Sequence, residues 1–263
     1  MNGRSYRFTD AIVRRPGSNV VDGLRAVDAG DPDSAAFLAE HAAYVAALRD
    51  AGLQVSELGP DLVYPDSVFV EDPALCLREG AILLNPGASS RQGEVQAIAP
   101  VLEAMFGEVR SVGEAGFVDG GDIMVTDKEI IVGLSERTDM PGFEALEAIL
   151  FDWGYQTRVV ETPADVLHFK TACAPLGDNA VLATSQLASS GLFDGYDIVL
   201  VADDEEPAAN AVRINDVVLM ADGYPNTADT LAQAGYQVVK LATTQAALLD
   251  GGLSCMSLRF ARG

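Results

Sequence analysis

The chain has 263 residues, 49% of them hydrophobic, which is enough apolar material for a large core at the upper edge of single-domain size. Seventeen basic residues against thirty-nine acidic ones give a net charge of −22. This charge repels phosphate backbones and anionic membrane surfaces, so we expect neither a nucleic-acid nor a membrane partner. A cationic small molecule is compatible with it, although most of the acids could serve only to keep the surface hydrated.

Two further patterns bear on location and on the kind of site. No stretch approaches the roughly 20 apolar residues that a spanning helix needs, and the first residues, MNGRSYRFTD, lack an apolar signal core, so we expect a cytoplasmic protein. The three cysteines, Cys76, Cys173 and Cys255, are odd in number and widely spaced. This suits neither a disulfide framework nor a zinc site, and it leaves room for one working thiol.

The predicted elements repeat in chain order. After an N-terminal strand at 10–16, apolar runs on either side of a short polar turn predict hairpins at 69–85, 122–134, 171–185 and 211–221. Helical patterns span 34–52, 91–107, 140–154, 185–193 and 226–235. Each is followed by a short strand, at 53–58, 108–112, 157–161, 197–201 and 236–241.

The hairpin turns fall near Glu79, Asp127, Gly177 and Asn215, at intervals of 48, 50 and 38 residues. Such spacing is typical of a repeat architecture. Pairing of a C-terminal strand at 254–260 with the N-terminal strand would complete a fifth unit and close the ring. We therefore predict one domain, 1–263, with the α/β fold of a five-bladed propeller built from ββαβ units, in which distant residues meet at a central channel.

The two histidines and one of the cysteines are candidates for chemistry. His41 lies in an Ala-rich amphipathic helix, which favours a structural role. His168, in VLHFKTAC, comes just before a strand, where a structural and a catalytic role both stay open. Cys255 follows DGGLS, whose glycines allow a close backbone approach, so it could be either an inert core residue or an exposed nucleophile.

Acidic residues interrupt two apolar segments whose pattern is otherwise typical of strands. They are Asp66, Glu71 and Asp72 in PDSVFVEDP, and Asp119 and Asp122 in FVDGGDIMV. A carboxylate in such a place is costly unless it is paired or used. A turn cap is the favoured role for Asp122, whereas Asp66 and Asp72 could hold a planar cation through bidentate hydrogen bonds.

Two arginines stand at element ends. Arg91 opens a predicted helix after GASS, where the helix dipole disfavours a cation, and Arg137 stands in GLSERTD at a strand end. Arg91 could therefore be placed for an anion, or could simply face solvent.

Taken together, RRPGSNVVDGL, DSVFVEDPALC, DGGDIM, VGLSERT, VLHFK and DGGLSCMSLRF resemble the dimethylarginine dimethylaminohydrolase family of the guanidine-modifying pentein superfamily. The match runs from residue 14 to residue 260, and that superfamily has the five-bladed α/β propeller fold. DSVFVED and DGGLSCMSLRF are its specific segments.

The resemblance implies roles for three catalytic residues. Cys255 would be the nucleophile, His168 the general acid and base, and Asp119 the carboxylate that orients the histidine. In some members of the family this last position is a glutamate, so aspartate is a modest departure.

It also implies a substrate-binding set. Asp66, Glu71 and Asp72 would hold the guanidinium, and Arg91 and Arg137 would bind the α-carboxylate. Leu24 would form the tip of a flexible lid, and the backbone of Leu249 would receive the α-amino group.

The implied reaction is hydrolysis of methylated free arginine to citrulline and dimethylamine or methylamine, through a thiouronium on Cys255, with no metal and no organic cofactor. Two alternatives stay open. One is arginine deiminase or another guanidine hydrolase of the superfamily, and the other is a non-catalytic binding propeller. The sequence leaves a homodimer open.

Overall fold

The computed structural model describes residues 5–262, whose strands form five three-stranded sheets. The strands are β1 (Asp10–Arg14), β2 (Gln54–Leu58), β3 (Ala74–Cys76), β4 (Ala81–Leu83), β5 (Val109–Ser111), β6 (Ile123–Val125), β7 (Ile130–Leu134), β8 (Thr157–Glu161), β9 (Cys173–Gly177), β10 (Ala180–Ala183), β11 (Asp197–Leu200), β12 (Val212–Ile214), β13 (Val217–Ala221), β14 (Gln237–Leu241) and β15 (Leu258–Phe260). The helices are α1 (Ser34–Asp50), α2 (Glu94–Met105), α3 (Met140–Asp152), α4 (Ser185–Ala188), α5 (Pro225–Gln233) and α6 (Thr244–Ala247).

The sheets have one common topology. In the sheet β3-β4-β5, the first two strands form an antiparallel hairpin and the third pairs parallel with the middle strand after α2 has crossed over. The sheets β6-β7-β8, β9-β10-β11 and β12-β13-β14 repeat this arrangement. The predicted ββαβ units and the five-bladed α/β propeller are confirmed.

The chain ends close the ring. β15 pairs antiparallel with β1, with Asp10 opposite Phe260 and Ile12 opposite Leu258, while β2 lies parallel on the other side of β1. Phe260 is buried, and its ring centroid lies 4.6 Å from that of Phe106 on the neighbouring unit. The predicted pairing of the two terminal strands is therefore correct.

Local sequence explains where elements begin and turn. Asp33 caps α1 by accepting a hydrogen bond from the backbone N–H of Ala36 at 2.7 Å. The third hairpin turns through Asp178 and Asn179, both at positive φ, which short polar residues tolerate. The helical pattern at 185–193 yields only the four-residue α4.

The acidic segments that resembled strands differ from that expectation. The strands β3 and β6 begin only at Ala74 and Ile123, and the carboxylates before them lie in or beside 3₁₀ turns. A 3₁₀ turn in fact precedes the first strand of every sheet's hairpin. These turns are Pro65–Val68, Gly120–Asp122, Phe169–Thr171, Glu206–Ala209 and Ser254–Met256. The predicted strand at 254–260 is correspondingly shorter. The turns collect polar side chains at one end of the propeller.

Among residues 5–262 there is no helix whose length and apolar character would let it cross a membrane.

Replacing Phe260 tests how much the closing strand β15 contributes to the stability of the propeller. We expect Phe260→Ala to lower the free energy of unfolding by about 3–5 kcal/mol, because it leaves a cavity between the closing strand β15 and Phe106 on the neighbouring unit. Phe151→Ala is the control, since that ring is 76% exposed and its loss should cost about 0.5 kcal/mol or less. Urea unfolding followed by circular dichroism measures both, and equal effects would contradict the proposed importance of the closing strand.

Candidate active site

A cavity of about 230 Å³ lies at the end of the propeller where the turns meet. Eight of the ten residues expected at a site line this one cavity. They are Leu24, Asp66, Asp72, Arg91, Arg137, His168, Leu249 and Cys255. Asp119 contacts the cavity-lining histidine from behind, whereas Glu71 points elsewhere.

The imidazole of His168 is held by Asp119. Nε2 of His168 lies 3.0 Å from Oδ2 of Asp119, whose other oxygen accepts the backbone N–H of Gly87 at 2.8 Å. Burial acts to lower the pKa of His168, but Asp72, Asp119 and Asp122 outweigh it and raise that pKa to about 9. The ring is therefore an imidazolium at neutral pH and can donate a proton.

His41, by contrast, is buried in α1 and does not line the cavity. Burial lowers its pKa to about 4, so it is neutral at pH 7. Its expected structural role agrees with this position.

Cys255 lies in the turn Ser254–Met256 and is 9% exposed. Burial raises the pKa of its thiol to about 11, with Glu71 and Asp72 acting in the same direction, while the backbone N–H of Gly252 hydrogen-bonds to the sulfur and opposes the shift. Cys76 and Cys173 are buried outside the cavity, and burial raises the pKa of both thiols. At neutral pH the cavity is therefore lined mainly by a neutral thiol and an imidazolium.

Two carboxylates line the cavity in different electrostatic states. Asp72 pairs with Arg91 and accepts the backbone N–H of Gly121 at 2.9 Å. Although burial opposes it, the pKa of Asp72 is lowered by Arg91 and His168. Asp66 accepts the N–H of Leu24 at 2.9 Å, and burial raises its pKa. Within residues 5–262, Asp66 makes no ion pair, so a bound cation would stabilise it.

The two arginines differ in how many partners they have. The Arg91 guanidinium is buried, pairs with Asp72, and grips Glu94 through two hydrogen bonds of 3.0 and 2.7 Å. It also donates to the carbonyl oxygen of Phe69 at 2.9 Å. Most of its donors are thus already used. The Arg137 guanidinium has no hydrogen-bond or ion-pair partner in the described part of the chain, which leaves it available to an anion.

Glu71 departs from the expected guanidinium-binding role. Its carboxylate accepts hydrogen bonds from Lys170 at 2.5 Å, Arg259 at 2.9 Å and the hydroxyl of Ser254 at 3.0 Å. It lines a separate cavity of about 110 Å³ behind the site. Although Glu71 and Asp72 are neighbours in sequence, Glu71 lines this second cavity while Asp72 lines the cavity that holds Cys255.

Asp72, Asp119 and His168 each offer one ligand atom, and these atoms lie within 4.8 Å of one another, which is a spacing that a metal could use. In the described residues, however, Asp72 is paired with Arg91, and His168 is hydrogen-bonded to Asp119. These contacts fit an acid–base group.

The segment around Leu24 forms one wall of the cavity. Leu24 is 38% exposed, and beside its bond to Asp66 the segment is held by Asp250, which accepts the N–H of Ala26 at 2.5 Å. Asp250 has a positive φ of 55° and follows Leu249, the expected α-amino contact.

Comparison with known proteins finds relatives of one family. A family described as N,N dimethylarginine dimethylhydrolase, eukaryotic, matches residues 29–187. The dimethylarginine dimethylaminohydrolase of Pseudomonas aeruginosa is 39% identical over 96% of this chain and 100% of its own length. The enzyme of the same name from Streptomyces coelicolor is 34% identical over 95% of this chain and 96% of its own.

The chain belongs to the dimethylarginine dimethylaminohydrolase family. A solved structure of the P. aeruginosa enzyme, a cysteine-to-serine mutant complexed with citrulline, superposes with a TM-score of 0.94 and covers 97% of this chain and 100% of that one. The N-terminal domain of ArgZ, at 19% identity and a TM-score of 0.83, shares the fold. Membership of the family makes this chain an enzyme that acts on arginine derivatives.

Several residues around the cavity were not found by sequence reasoning. Glu94 holds Arg91, and Lys170 and Ser254 hold Glu71. Burial raises the pKa of Glu94 to about 7, against the effect of Arg91. Glu94 carried one available signal, since it lies three residues after Arg91 on the predicted helix. Ser254 and Lys170 lie within the segments DGGLSCMSLRF and VLHFK that carry the resemblance, but neither was assigned a role.

Gly121 offers a test of the histidine's position. A Cβ at this residue would lie 2.7 Å from Nδ1 of His168, so Gly121→Ala should displace the imidazole and lower kcat roughly 10- to 100-fold. Gly107→Ala is the control, because its Cβ would meet no atom within 4 Å. Steady-state citrulline production measures both, and unchanged kcat in Gly121→Ala would show that the ring has room to move.

The thiol pKa predicts a pH-dependent reactivity. Alkylation of Cys255 by iodoacetamide should accelerate from about pH 7 to about pH 10, because the thiolate fraction rises towards a pKa of about 11. Asp72→Asn removes a charge that raises this pKa, so alkylation near pH 8 should become about tenfold faster. Mass spectrometry follows the modification, with Cys255→Ser as the unlabelled control. A flat profile would contradict the assigned thiol state.

Proposed function

We propose that this enzyme hydrolyses Nω-methylated free arginine to citrulline and dimethylamine or methylamine through a covalent intermediate on Cys255. The observation that carries the proposal is a single cavity lined by a thiol, an imidazolium and two carboxylates, with an unpaired arginine on its wall. The relatives' name and the citrulline held by one of them support this substrate class.

The substrate's charge complements the cavity. Asp66 has no cationic partner in the described residues and its pKa is raised by burial, so a guanidinium beside it and Asp72 would satisfy both carboxylates and fix the plane of the electrophile. Arg137 then binds the α-carboxylate. Arg91 adds positive charge at the same wall, while most of its hydrogen bonds hold Asp72 and Glu94 in place.

The catalytic steps follow from the two protonation states. The cationic guanidinium favours loss of the thiol proton to solvent, and the Cys255 thiolate attacks the guanidinium carbon. The His168 imidazolium donates its proton to the departing amine, which leaves a thiouronium and a neutral imidazole. Neutral His168 then takes a proton from water as that water attacks the thiouronium carbon. Collapse of the adduct releases citrulline and restores the thiol and the imidazolium.

Asp119 keeps the imidazole available for both steps. Its hydrogen bond to Nε2 orients the ring and stabilises the imidazolium, which is the state that donates first. Glu71 acts outside the cavity, where its three partners connect the Cys255 and His168 segments.

The substrate assay compares asymmetric dimethylarginine, monomethylarginine, arginine and agmatine, with citrulline or its decarboxylated counterpart as product. We expect turnover of the two methylated amino acids and slow turnover of arginine. Agmatine should also be poor, because it has no carboxylate for Arg137.

Cys255→Ser is the control and should form no product. Fast turnover of arginine alone would favour the deiminase alternative, and a preference for agmatine would contradict the role of Arg137. Undiminished activity in Cys255→Ser would show that the site is elsewhere.

A further inference from the structure

One sheet supplies no residue to the proposed machinery. The turns before β3, β6, β9 and β15 carry or adjoin Asp66, Asp119, His168 and Cys255. The turn before β12, Glu206–Ala209, is instead followed directly by Asn210. Asn210 lines a neighbouring groove of about 650 Å³ and does not line the cavity that holds the thiol. Any effect it has on the reaction must act through other residues.

The Asn210 amide contacts both catalytic segments. Its Oδ1 accepts the backbone N–H of Ser254 at 3.0 Å, and its Nδ2 donates to the Ser254 hydroxyl at 3.2 Å. The same Nδ2 donates to the carbonyl oxygen of Lys170 at 3.2 Å. Ser254 immediately precedes Cys255, and Lys170 lies two residues after His168. One side chain therefore joins the turn that carries the sulfur to the turn that carries the imidazole.

Asn210 also packs against the residue that hydrogen-bonds to the sulfur. A Cβ at Gly252 would lie 2.5 Å from the Asn210 side chain, so the backbone of Gly252 runs directly over the amide. The N–H of Gly252 points to the Cys255 sulfur. Fixing Ser254 and Gly252 from one side thus fixes the N–H donor and the sulfur with respect to each other.

We propose that Asn210 is a positioning residue that sets the geometry of the Cys255 nucleophile relative to His168. This inference rests on the proposed function, because it assigns those two residues as nucleophile and acid–base group. A planar amide suits this role, because its oxygen accepts from the Ser254 segment while its NH₂ group donates to both the Ser254 and the Lys170 segments. A hydrocarbon side chain could fill the space but could not orient either turn.

The deciding variant is Asn210→Asp. It keeps the shape and the oxygen that accepts from Ser254, but it loses the donation to Lys170 and to the Ser254 hydroxyl. We expect kcat for dimethylarginine to fall at least about tenfold while KM changes less than about threefold, because the substrate-binding side chains are untouched. Ser254→Ala keeps the Asn210 bonds to the backbone of both turns, so its kcat should fall by less than about threefold.

Asn215→Asp is the matched control. Asn215 lies at the far end of β12, and its amide also bridges two segments, through the carbonyl oxygens of Phe8 and Ala51. The Asn215→Asp substitution should lower the melting temperature about as much as Asn210→Asp does, but its kcat should stay within about twofold of the wild type. If Asn210→Asp does not fold, Asn210→Ser takes its place.

Alkylation of Cys255 adds a readout that does not depend on turnover. In Asn210→Ala, a sulfur released from the Gly252 N–H should be alkylated more slowly than the wild type near pH 8, whereas Asn215→Asp should match the wild type. Normal kcat and normal alkylation in the Asn210 variants would overturn the inference. So would a loss of kcat in Asn215→Asp equal to that in Asn210→Asp. Absence of citrulline production by the wild type would instead contradict the proposed function.

Discussion

Buried carboxylates have to be matched by cations, and this constraint organises the whole end of the propeller that holds the site. Asp72, Asp119 and Asp122 are almost fully buried, where an unpaired charge costs several kcal/mol. The structure meets the cost by burying Arg91 and by keeping His168 protonated. Protonation of the histidine is thus a consequence of the surrounding charge, and the same protonation makes it able to serve as a general acid.

The charges are arranged in two layers with separate tasks. In the layer behind the cavity, Glu71 is satisfied by Lys170, Arg259 and Ser254, so it needs nothing from a ligand. At the cavity itself, Asp66 lacks an ion-pair partner in the part of the chain that the structure describes. The layer behind the cavity holds the turns of Cys255 and His168 together. The layer at the cavity keeps Asp66 without an ion-pair partner, which the guanidinium of the proposed substrate would supply. Removing Glu71 would therefore disturb the positions of the turns rather than remove a substrate contact.

The periodic hairpin turns made the fold predictable, because each turn near Glu79, Asp127, Gly177 and Asn215 starts a unit with the same order of elements. Local pattern could not show which side of the backbone a residue of an irregular segment faces, and Glu71 and Asp72 were placed on one side although they point apart. For Arg91 the sequence left an anion site and simple solvent exposure open; in the structure it is buried, and the protein's own carboxylates accept hydrogen bonds from several of its donors. Asn210 carried no signal, since its hydrogen-bond partners Lys170 and Ser254 lie in two turns that are distant from it in sequence.

Backbone geometry lets the short side chain of Asp119 reach the histidine. In this chain the imidazole lies directly against Gly121, so closely that a Cβ there would approach Nδ1 to 2.7 Å. Because no side chain separates the ring from the turn Gly120–Asp122, Asp119 reaches Nε2 at 3.0 Å. The carboxylate is also anchored by the N–H of Gly87, so its orientation does not depend on the histidine alone. The pair can therefore keep its geometry when the imidazole gives up its proton and later regains it.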